Sequence, residues 1–205
     1  QLPERIAVTR SIQDVARTEI PAIIDQLGYG QEPILIGHSM GGLAALTYAA
    51  YGDRRLSRLV LVSPVVPMQV NAEPIPVDLD FTKLLPPFPY EQAKQLFFTT
   101  MGEEQARSLY ERLVPESPRA VREATWWTTW VDLDKVRVPT LLLYASEDLL
   151  VPPATTLKLA ELLHAPVVEI PGVGHTDILV KDPDWRLAAS KVRDWLASDT
   201  PWPIP

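Results

Sequence analysis

The chain has no cysteine and only three histidines among its 205 residues. The absence of cysteine excludes disulfides, thiol nucleophiles and thiolate metal ligands. His38, His164 and His175 are far apart in sequence, and no two of them have the spacing of metal ligands on one helix face. We therefore expect no metal site.

Positive charge is also scarce, and so are long apolar runs. The 19 basic residues are outnumbered by 26 acidic ones, which gives a formal net charge of −7. Phosphate groups would repel such a chain, so we expect no nucleic-acid partner. No apolar run approaches the roughly 18–20 residues of a membrane span, and the first residues do not have the pattern of a secretory signal. We expect no membrane span and a cytoplasmic location.

Strand-like and helix-like stretches alternate through most of the chain. Continuous apolar runs predict strands buried on both faces at Ile34–His38, residues 59–62, Thr140–Ala145 and Val167–Ile170. Helical spacing of apolar residues predicts helices at residues 9–27, Met40–Tyr51, 154–163 and 184–197. This alternation implies right-handed crossovers and a parallel sheet.

The pattern changes between the second and third predicted strands. Nine of the 21 prolines lie between Pro64 and Pro118, and three short helices fit at residues 90–100, 103–113 and 119–129. We interpret residues 65–136 as a helical cap inserted into a core made of residues 1–64 and 137–199. The proline-rich tail, residues 200–205, is predicted to be neither helix nor inner strand.

A Gly-x-Ser-x-Gly pattern at residues 37–41 follows the first predicted strand and precedes a helix rich in alanine and leucine. A tight strand-to-helix turn of this kind exposes a serine hydroxyl and strains its backbone. Gly37 and Gly41 would relieve crowding there, and the backbone N–H of Met40 is one expected oxyanion donor. Ser39 is therefore the predicted nucleophile. The alternative is a turn that only packs the helix against the strand, whereas a phosphate-binding loop fails because no Gly-Lys-Ser/Thr follows.

A serine hydroxyl needs a base to take its proton. Asp148 follows the third predicted strand and His175 follows the fourth, just as Ser39 follows the first. Since the carboxyl ends of parallel strands share one edge of the sheet, these three side chains can converge. We predict that His175 is the base and that Asp148 orients it.

The polar residues around these positions have plainer interpretations. His175 could be an ordinary loop histidine, and Glu147 could replace Asp148 as the orienting acid. We interpret Asp177 as a surface or local capping residue, and His38 as a packing residue beside the turn. The helix dipole explains His164 at the end of a helix.

Three segments together resemble the signature segments of the α/β-hydrolase superfamily. They are residues 37–42 (GHSMGG), 146–152 (SEDLLVP) and 172–175 (GVGH), and their order of Ser, Asp and His matches that architecture. The resemblance covers residues from about 9 to 197 and is to the capped esterase, lactonase and thioesterase branch. It implies a parallel-sheet α/β-hydrolase core, a Ser39–His175–Asp148 triad, a cap that shapes the substrate pocket, and no cofactor.

The resemblance is incomplete before the serine. Family members place several strands there, and one of the loops, often His-Gly-x-x-Gly, supplies the second oxyanion N–H. Only 38 residues precede Ser39, they lack that motif, and residues 1–10 offer a loop or one short strand. The second donor is therefore unknown, and we expect an N-terminally shortened core. Because one oxyanion donor contributes about 2.7–4 kcal/mol, we expect the chain alone to be impaired as an enzyme.

A shortened core would leave Ile34–His38 as an apolar edge strand, which favours association. We expect a missing N-terminal fragment or a second copy in a homodimer to cover this edge, or another segment to stand in for the lost donor.

Aromatic residues of the cap predict an apolar substrate pocket. With the histidine beside the turn, the candidate pocket residues are His38, Phe97, Phe98, Trp126, Trp127 and Trp130. Such a wall would suit an acyl chain or an aromatic ester. Packing of the cap onto the core is an equally good explanation for the tryptophans.

We predict a serine hydrolase that cleaves a small apolar carboxylic ester through an acyl-enzyme. A lactonase, thioesterase, C–C bond hydrolase or cofactor-free perhydrolase would use the same triad, whereas a serine rather than an aspartate at position 39 disfavours a haloalkane dehalogenase. A non-catalytic binding module on a degenerate hydrolase scaffold is the alternative outside enzymes, and labelling of Ser39 by a fluorophosphonate would separate it from the others.

Overall fold

The computed structural model describes residues 4–28, 32–51 and 56–198. Four parallel strands form one sheet in the order β1-β2-β3-β4. They are β1 (Ile34–His38), β2 (Arg58–Val62), β3 (Thr140–Ala145) and β4 (Val167–Ile170). The parallel α/β architecture that the sequence predicts is confirmed, with each strand within one residue of its predicted bounds.

Helices precede and connect the strands. In the described ranges they are α1 (Glu4–Thr9), α2 (Ile12–Asp14), α3 (Ile20–Gln26), α4 (Met40–Tyr51), α5 (Tyr90–Phe97), α6 (Glu103–Tyr110), α7 (Pro118–Thr125), α8 (Pro153–Leu163), α9 (Asp177–Val180) and α10 (Asp184–Leu196). Single 3₁₀ turns occupy Met68–Val70 and Leu133–Lys135. The short helix α9 has no counterpart in the predicted elements.

The two middle strands of the sheet, β2 and β3, are covered on both faces. Successive side chains of a strand point to opposite faces, so Leu59 and Leu61 of β2 enter one apolar cluster and Val60 and Val62 enter another. Helices α4 and α8 pack on the first face, and α9 and α10 pack on the second. Burial on both faces accounts for the apolar runs of β2 and β3. The prediction that all four strands are buried on both faces is wrong for the edge strands, where Ile34, Ile36 and Glu169 are exposed.

The predicted helix at residues 9–27 is divided in the structure. A π-helical turn, Val15–Glu19, lies between α2 and α3, and Pro21 is the second residue of α3, directly after that turn. The expectation of a loop or short strand at residues 1–10 is wrong for Glu4–Thr9, which is helical. The N-terminal helices are tied to α7 because the Ile12 N–H donates to Glu123 Oε2 at 2.8 Å.

Residues 63–139, between β2 and β3, are called the roof segment below. The three predicted helices are present as α5, α6 and α7, each shorter than predicted. The proline-rich stretch before α5 is mostly irregular, and one isolated antiparallel bridge joins Leu85 to Glu116. The proline-rich tail, 200–205, lies outside the described residues.

Strand β1 forms one edge of the sheet. Within the described part of the chain it pairs with β2 alone, and its Ile34 and Ile36 side chains are 47% and 56% exposed. What covers this edge stays a prediction. None of the described helices is both long enough and apolar enough to span a membrane.

Candidate active site

Ser39 occupies the sharp turn between β1 and α4. Its φ of 54° lies in the left-handed region, which residues with a side chain rarely adopt. The Ser39 N–H donates to Val62 O at 3.2 Å, and the Ser39 carbonyl accepts from Gly42 N–H and Val65 N–H, both at 2.9 Å. The end of β2 and the start of the roof segment thus hold the strained backbone in place.

Close packing at this turn requires glycine at position 37. A Cβ on Gly37 would lie 2.5 Å from the Gly41 carbonyl oxygen and 2.9 Å from the Ala45 Cβ. A Cβ on Gly41 would meet nothing within 4 Å. Only the first of the two glycines therefore relieves crowding as the sequence pattern predicts.

A buried hydrogen bond joins Asp148, after β3, to His175, after β4. His175 Nδ1 lies 2.8 Å from Asp148 Oδ2, and the two residues are 1% and 4% exposed. The other carboxylate oxygen, Oδ1, accepts from Leu150 N–H at 2.9 Å and from Val151 N–H at 2.8 Å. Glu147, the alternative orienting acid, is exposed and contacts Ser146 instead.

The bond to Asp148 determines how His175 can act. A carboxylate oxygen accepts, so in the neutral ring the proton sits on Nδ1 and the Nε2 lone pair is free. That Nε2 is buried and has no hydrogen-bond partner among the described residues, and no Ser39–His175 hydrogen bond is present there. The pairing of Ser39 with His175 therefore stays a prediction.

His38 connects the serine turn to the His175 loop. Its Nε2 lies 2.9 Å from the His175 carbonyl oxygen, and the two rings are 4.6 Å apart. Because a carbonyl can only accept, the His38 proton must be on Nε2. Burial first, and then the nearby His175 ring, lower the pKa of His38 to about 3. His38 therefore stays neutral and holds the backbone of His175.

The N-terminus of α4 faces the same region. Met40 is the first residue of this helix, so its N–H has no intrahelical acceptor and is available to an anion. A second backbone N–H for the oxyanion is not identified among the described residues, so this donor stays unknown. No group of three potential metal ligands occurs among them either.

A cavity of about 290 Å³ opens beside Ser39 and Met40. Its wall is mostly apolar and comes from the roof segment, together with Leu150 and Val151. The lining side chains with a hydroxyl, amide or carboxylate are Ser39, Gln92, Glu116 and Thr125. Glu116 is the one charged member of this described lining, and its Oε1 lies 3.5 Å from Arg10 Nη1.

The predicted pocket aromatics divide into two groups. Phe97 and Trp127 line the cavity. Phe98 turns into a small buried cluster with Met101 and Ala106 instead.

The other two tryptophans do not line the cavity either. Trp126 is 39% exposed with the Arg122 guanidinium 3.7 Å from its ring centroid, and Trp130 is 53% exposed. His38 contacts His175 rather than the cavity wall. The cavity therefore uses far more aliphatic and proline side chains of the roof segment than the aromatic residues alone suggested.

The interpretation of Asp177 as a surface or local capping residue is wrong. The residue is fully buried, and its Oδ2 accepts from Thr100 of the roof segment rather than from its own helix. Its place in the sequence, two residues after the predicted base His175, is the signal that could have marked Asp177 as part of the site.

The chain matches one protein family by sequence. The family model described as "Alpha/beta hydrolase family" matches residues 4–189, which is most of the chain. No curated protein is similar enough in sequence to match.

Several solved structures share the fold. An extracellular alpha/beta-hydrolase from a Paenibacillus species is 20% identical, with 90% of this chain and 80% of that chain covered at a TM-score of 0.65. A monoacylglycerol lipase from Paleococcus ferrophilus is 21% identical, with coverage of 92% and 76% and a TM-score of 0.62. An esterase from a Rhodococcus species is 20% identical, with coverage of 93% and 74% and a TM-score of 0.67. At these identities the similarity establishes the fold alone.

Proposed function

The chain belongs to the alpha/beta hydrolase family, and from this premise we propose that it is a serine hydrolase that cleaves carboxylic esters with a Ser39–His175–Asp148 triad. The observation that carries the proposal is the buried His175 ring, whose Nδ1 is bonded to Asp148 while its Nε2 has no partner in the described structure. An imidazole held in that tautomer is suited to act as a general base toward the strained Ser39.

The first half of the reaction forms an acyl-enzyme. Ser39 Oγ attacks the ester carbonyl carbon while His175 Nε2 takes the hydroxyl proton, and Asp148 stabilises the imidazolium that forms. The Met40 N–H donates to the oxyanion of the tetrahedral intermediate. The C–O bond to the alcohol then breaks, and His175 returns the proton to the leaving alkoxide oxygen.

Water completes the cycle. His175 Nε2 takes a proton from water as the hydroxide attacks the acyl carbon on Ser39, and a second tetrahedral intermediate forms. Its collapse releases the carboxylic acid and returns the proton to Ser39 Oγ. No cofactor takes part in this sequence of steps.

The cavity supports a small, neutral, apolar acyl or alcohol group as the substrate. Its volume of about 290 Å³ is near the lower end of ligand pockets, which span roughly 300–1,000 Å³. Among the described lining residues Glu116 carries a charge and no lysine or arginine is present, so a carboxylate on the substrate would meet no cation. The apolar wall from the roof segment supports the role of residues 65–136 as a cap over the core.

A fluorophosphonate probe tests the proposal directly. We expect the probe to modify Ser39 in the purified chain, with the site identified by peptide mass spectrometry. Ser39→Ala should abolish the modification, and Ser190→Ala, a matched change on α10, should leave it intact. Absence of labelling in a folded chain would contradict the catalytic role and favour a binding module.

Hydrolysis measurements then separate ester cleavage from related chemistry. Matched p-nitrophenyl esters, γ-lactones and acyl thioesters with a four-carbon acyl group should rank with the ester first. A lactone or thioester preference would keep the triad and replace the proposed substrate class.

A further inference from the structure

A buried carboxylate outside the proposed triad connects the His175 loop to the roof segment. Asp177 is fully buried, and its Oδ2 accepts three hydrogen bonds. The donors are the Thr100 N–H at 2.7 Å, the Thr100 hydroxyl at 2.7 Å and the Gly174 N–H at 3.1 Å. We call this group of contacts the Asp177 clamp.

The clamp and a separate backbone bond together hold the chain on both sides of His175. On one side, Gly174 N–H donates to Asp177; on the other, the Thr176 N–H donates to Phe97 O at 3.0 Å. The His175 carbonyl itself accepts from His38. Few rotations of the main chain remain open to a loop held at three successive residues.

The loop and the roof segment also touch without space between them. A Cβ on Gly174 would lie 2.7 Å from Thr99 Cβ and 2.9 Å from Asp177 Oδ2. The approach of Thr99 therefore depends on the absence of a side chain at position 174. The roof segment in turn carries Phe97, whose ring lies 6.4 Å from the His175 ring and lines the cavity.

Local helix stability does not explain why Asp177 is buried. Asp177 is the first residue of a four-residue helix, yet its Oδ2 bonds to Thr100 and Gly174 rather than to the amides of that helix. Burial of a carboxylate is costly unless donors compensate it. Its second oxygen, Oδ1, is buried with no partner in the described ranges. The three donors to Oδ2 come from two segments, the roof segment and the loop that carries His175, so this oxygen links the two.

We infer that Asp177 is a positioning residue that, through Thr100 and Gly174, sets the His175 ring relative to Ser39 and to the Phe97 wall of the cavity. The inference rests on the proposed catalytic roles of Ser39 and His175. Asp177 acts on the reaction through the backbone of the His175 loop and touches no reacting atom.

The test compares substitutions that remove or keep the acceptor. Asp177→Ala removes it, so the loop can shift; because a misplacement of about 1 Å can cost 10²-fold, we expect kcat for p-nitrophenyl butyrate to fall by about that factor with KM nearly unchanged. Asp177→Asn keeps an oxygen in the Oδ2 position, and we expect it to restore most of kcat. Asp194→Ala removes an exposed carboxylate of α10 and serves as the matched control.

The partner residue gives a second series. Thr100→Val removes the hydroxyl donor and keeps the backbone donor, so we expect a smaller loss of kcat than in Asp177→Ala. Thr100→Ser keeps both donors and should behave as the unsubstituted chain. This pair decides the matter if Asp177→Ala fails to fold.

A spectroscopic readout is independent of turnover. The proton that His175 shares with Asp148 should give a low-field NMR resonance, which Asp177→Asn keeps and Asp177→Ala shifts or broadens. Equal losses of kcat in the Asn and Ala variants, or a folded Asp177→Ala chain with the resonance and kcat unchanged, would overturn the positioning role. If fluorophosphonate does not label Ser39 at all, the proposed function fails, while the resonance still reports on the clamp.

Discussion

The loops after β1 and β3 line one cavity with the roof segment, and the loop after β4 contacts that segment through hydrogen bonds, but the loops and the roof segment are built differently. In the loops, hydrogen bonds hold the main polar groups: Asp148 accepts three, and His38 donates to the His175 carbonyl. The roof segment supplies mainly apolar side chains from irregular backbone and three short helices. Under the proposed function, the loops carry the chemistry and the roof segment sets the substrate preference, so substitutions in each should change different measurements.

The largest expected effect comes from breaking the loop side. Asp148→Asn removes the acceptor that keeps the His175 proton on Nδ1, and the amide can hold the ring in the wrong tautomer. By analogy with the same change in a serine protease triad, kcat should fall by about 10⁴-fold. Steady-state hydrolysis of p-nitrophenyl butyrate measures this.

The neighbouring acid provides the control for that change. Glu147→Gln alters an exposed carboxylate that contacts Ser146 and not His175. It should leave kcat within about twofold, as expected for a surface substitution away from the site. A large loss in Glu147→Gln with a small one in Asp148→Asn would reverse the assignment of the orienting acid.

Stability should show the same contrast between the sheet and the roof segment. Leu142 is fully buried on β3, one of the two middle strands, and truncation of such a residue to alanine costs about 2–5 kcal/mol. Phe81, in the roof segment, is 55% exposed, so Phe81→Ala should change the free energy of unfolding by about 0.5 kcal/mol or less. Urea unfolding followed by tryptophan fluorescence gives both values. Similar losses in the two variants would mean that Phe81 packs as tightly as the roof-segment residues that already belong to the main apolar cluster, such as Trp127 and Val131.

The sequence predicts the loop side well because local patterns determine it. The strands are apolar runs, the turn at Ser39 has its own glycine pattern, and Asp148 and His175 each lie within five residues of the end of a strand. Once the strands are parallel, their carboxyl ends must share an edge, so the convergence of these loops needs no long-range information.

The roof segment could not be predicted to the same depth. Its cavity wall depends on which faces of three short helices turn inward. Phe97 lines the cavity, whereas the next residue, Phe98, is buried in a separate cluster. Asp177 was missed for a related reason, since its partner Thr100 is 77 residues away and no local pattern marks the pair. Long-range packing between irregular segments decides both cases.

The lowered pKa of His38, the residue before Ser39, predicts how the free energy of unfolding depends on pH. Burial and the neighbouring His175 hold the pKa of His38 at about 3, below its ordinary 6.5. The unfolded chain therefore binds a proton that the folded chain does not, so His38 lowers stability progressively as pH falls from 6.5 toward 3. In His38→Gln, which keeps a donor toward the His175 carbonyl, that contribution disappears.

The measurement is the difference between two stability curves. Free energies of unfolding of the unsubstituted chain and of His38→Gln should converge or cross as pH falls below 6.5, with the difference changing by about 1.4 kcal/mol per pH unit. The carboxyl groups titrate in both proteins, so their contributions to the free energy of unfolding cancel in the difference. A constant difference over this range would contradict the lowered pKa, because it would mean that His38 takes up its proton over the same pH range in the folded and unfolded chains.

The smallest expected effect sharpens the comparison from the roof side. Ala124 of α7 is buried and lines the cavity, so Ala124→Leu should fill part of the space next to Ser39 without touching Asp148 or His175. Since methylene-sized differences in an apolar pocket change kcat/KM by about 10-fold or more, we expect hexanoate esters to lose about that factor relative to acetate esters. The acetate rate should stay near that of the unsubstituted chain, because the triad is unaltered. Ala154→Leu, the same change at an exposed position of α8, should leave the ratio constant. If Ala124→Leu lowers both esters equally, the cavity wall and the catalytic loops are coupled, and substrate preference is not a property of the roof segment alone.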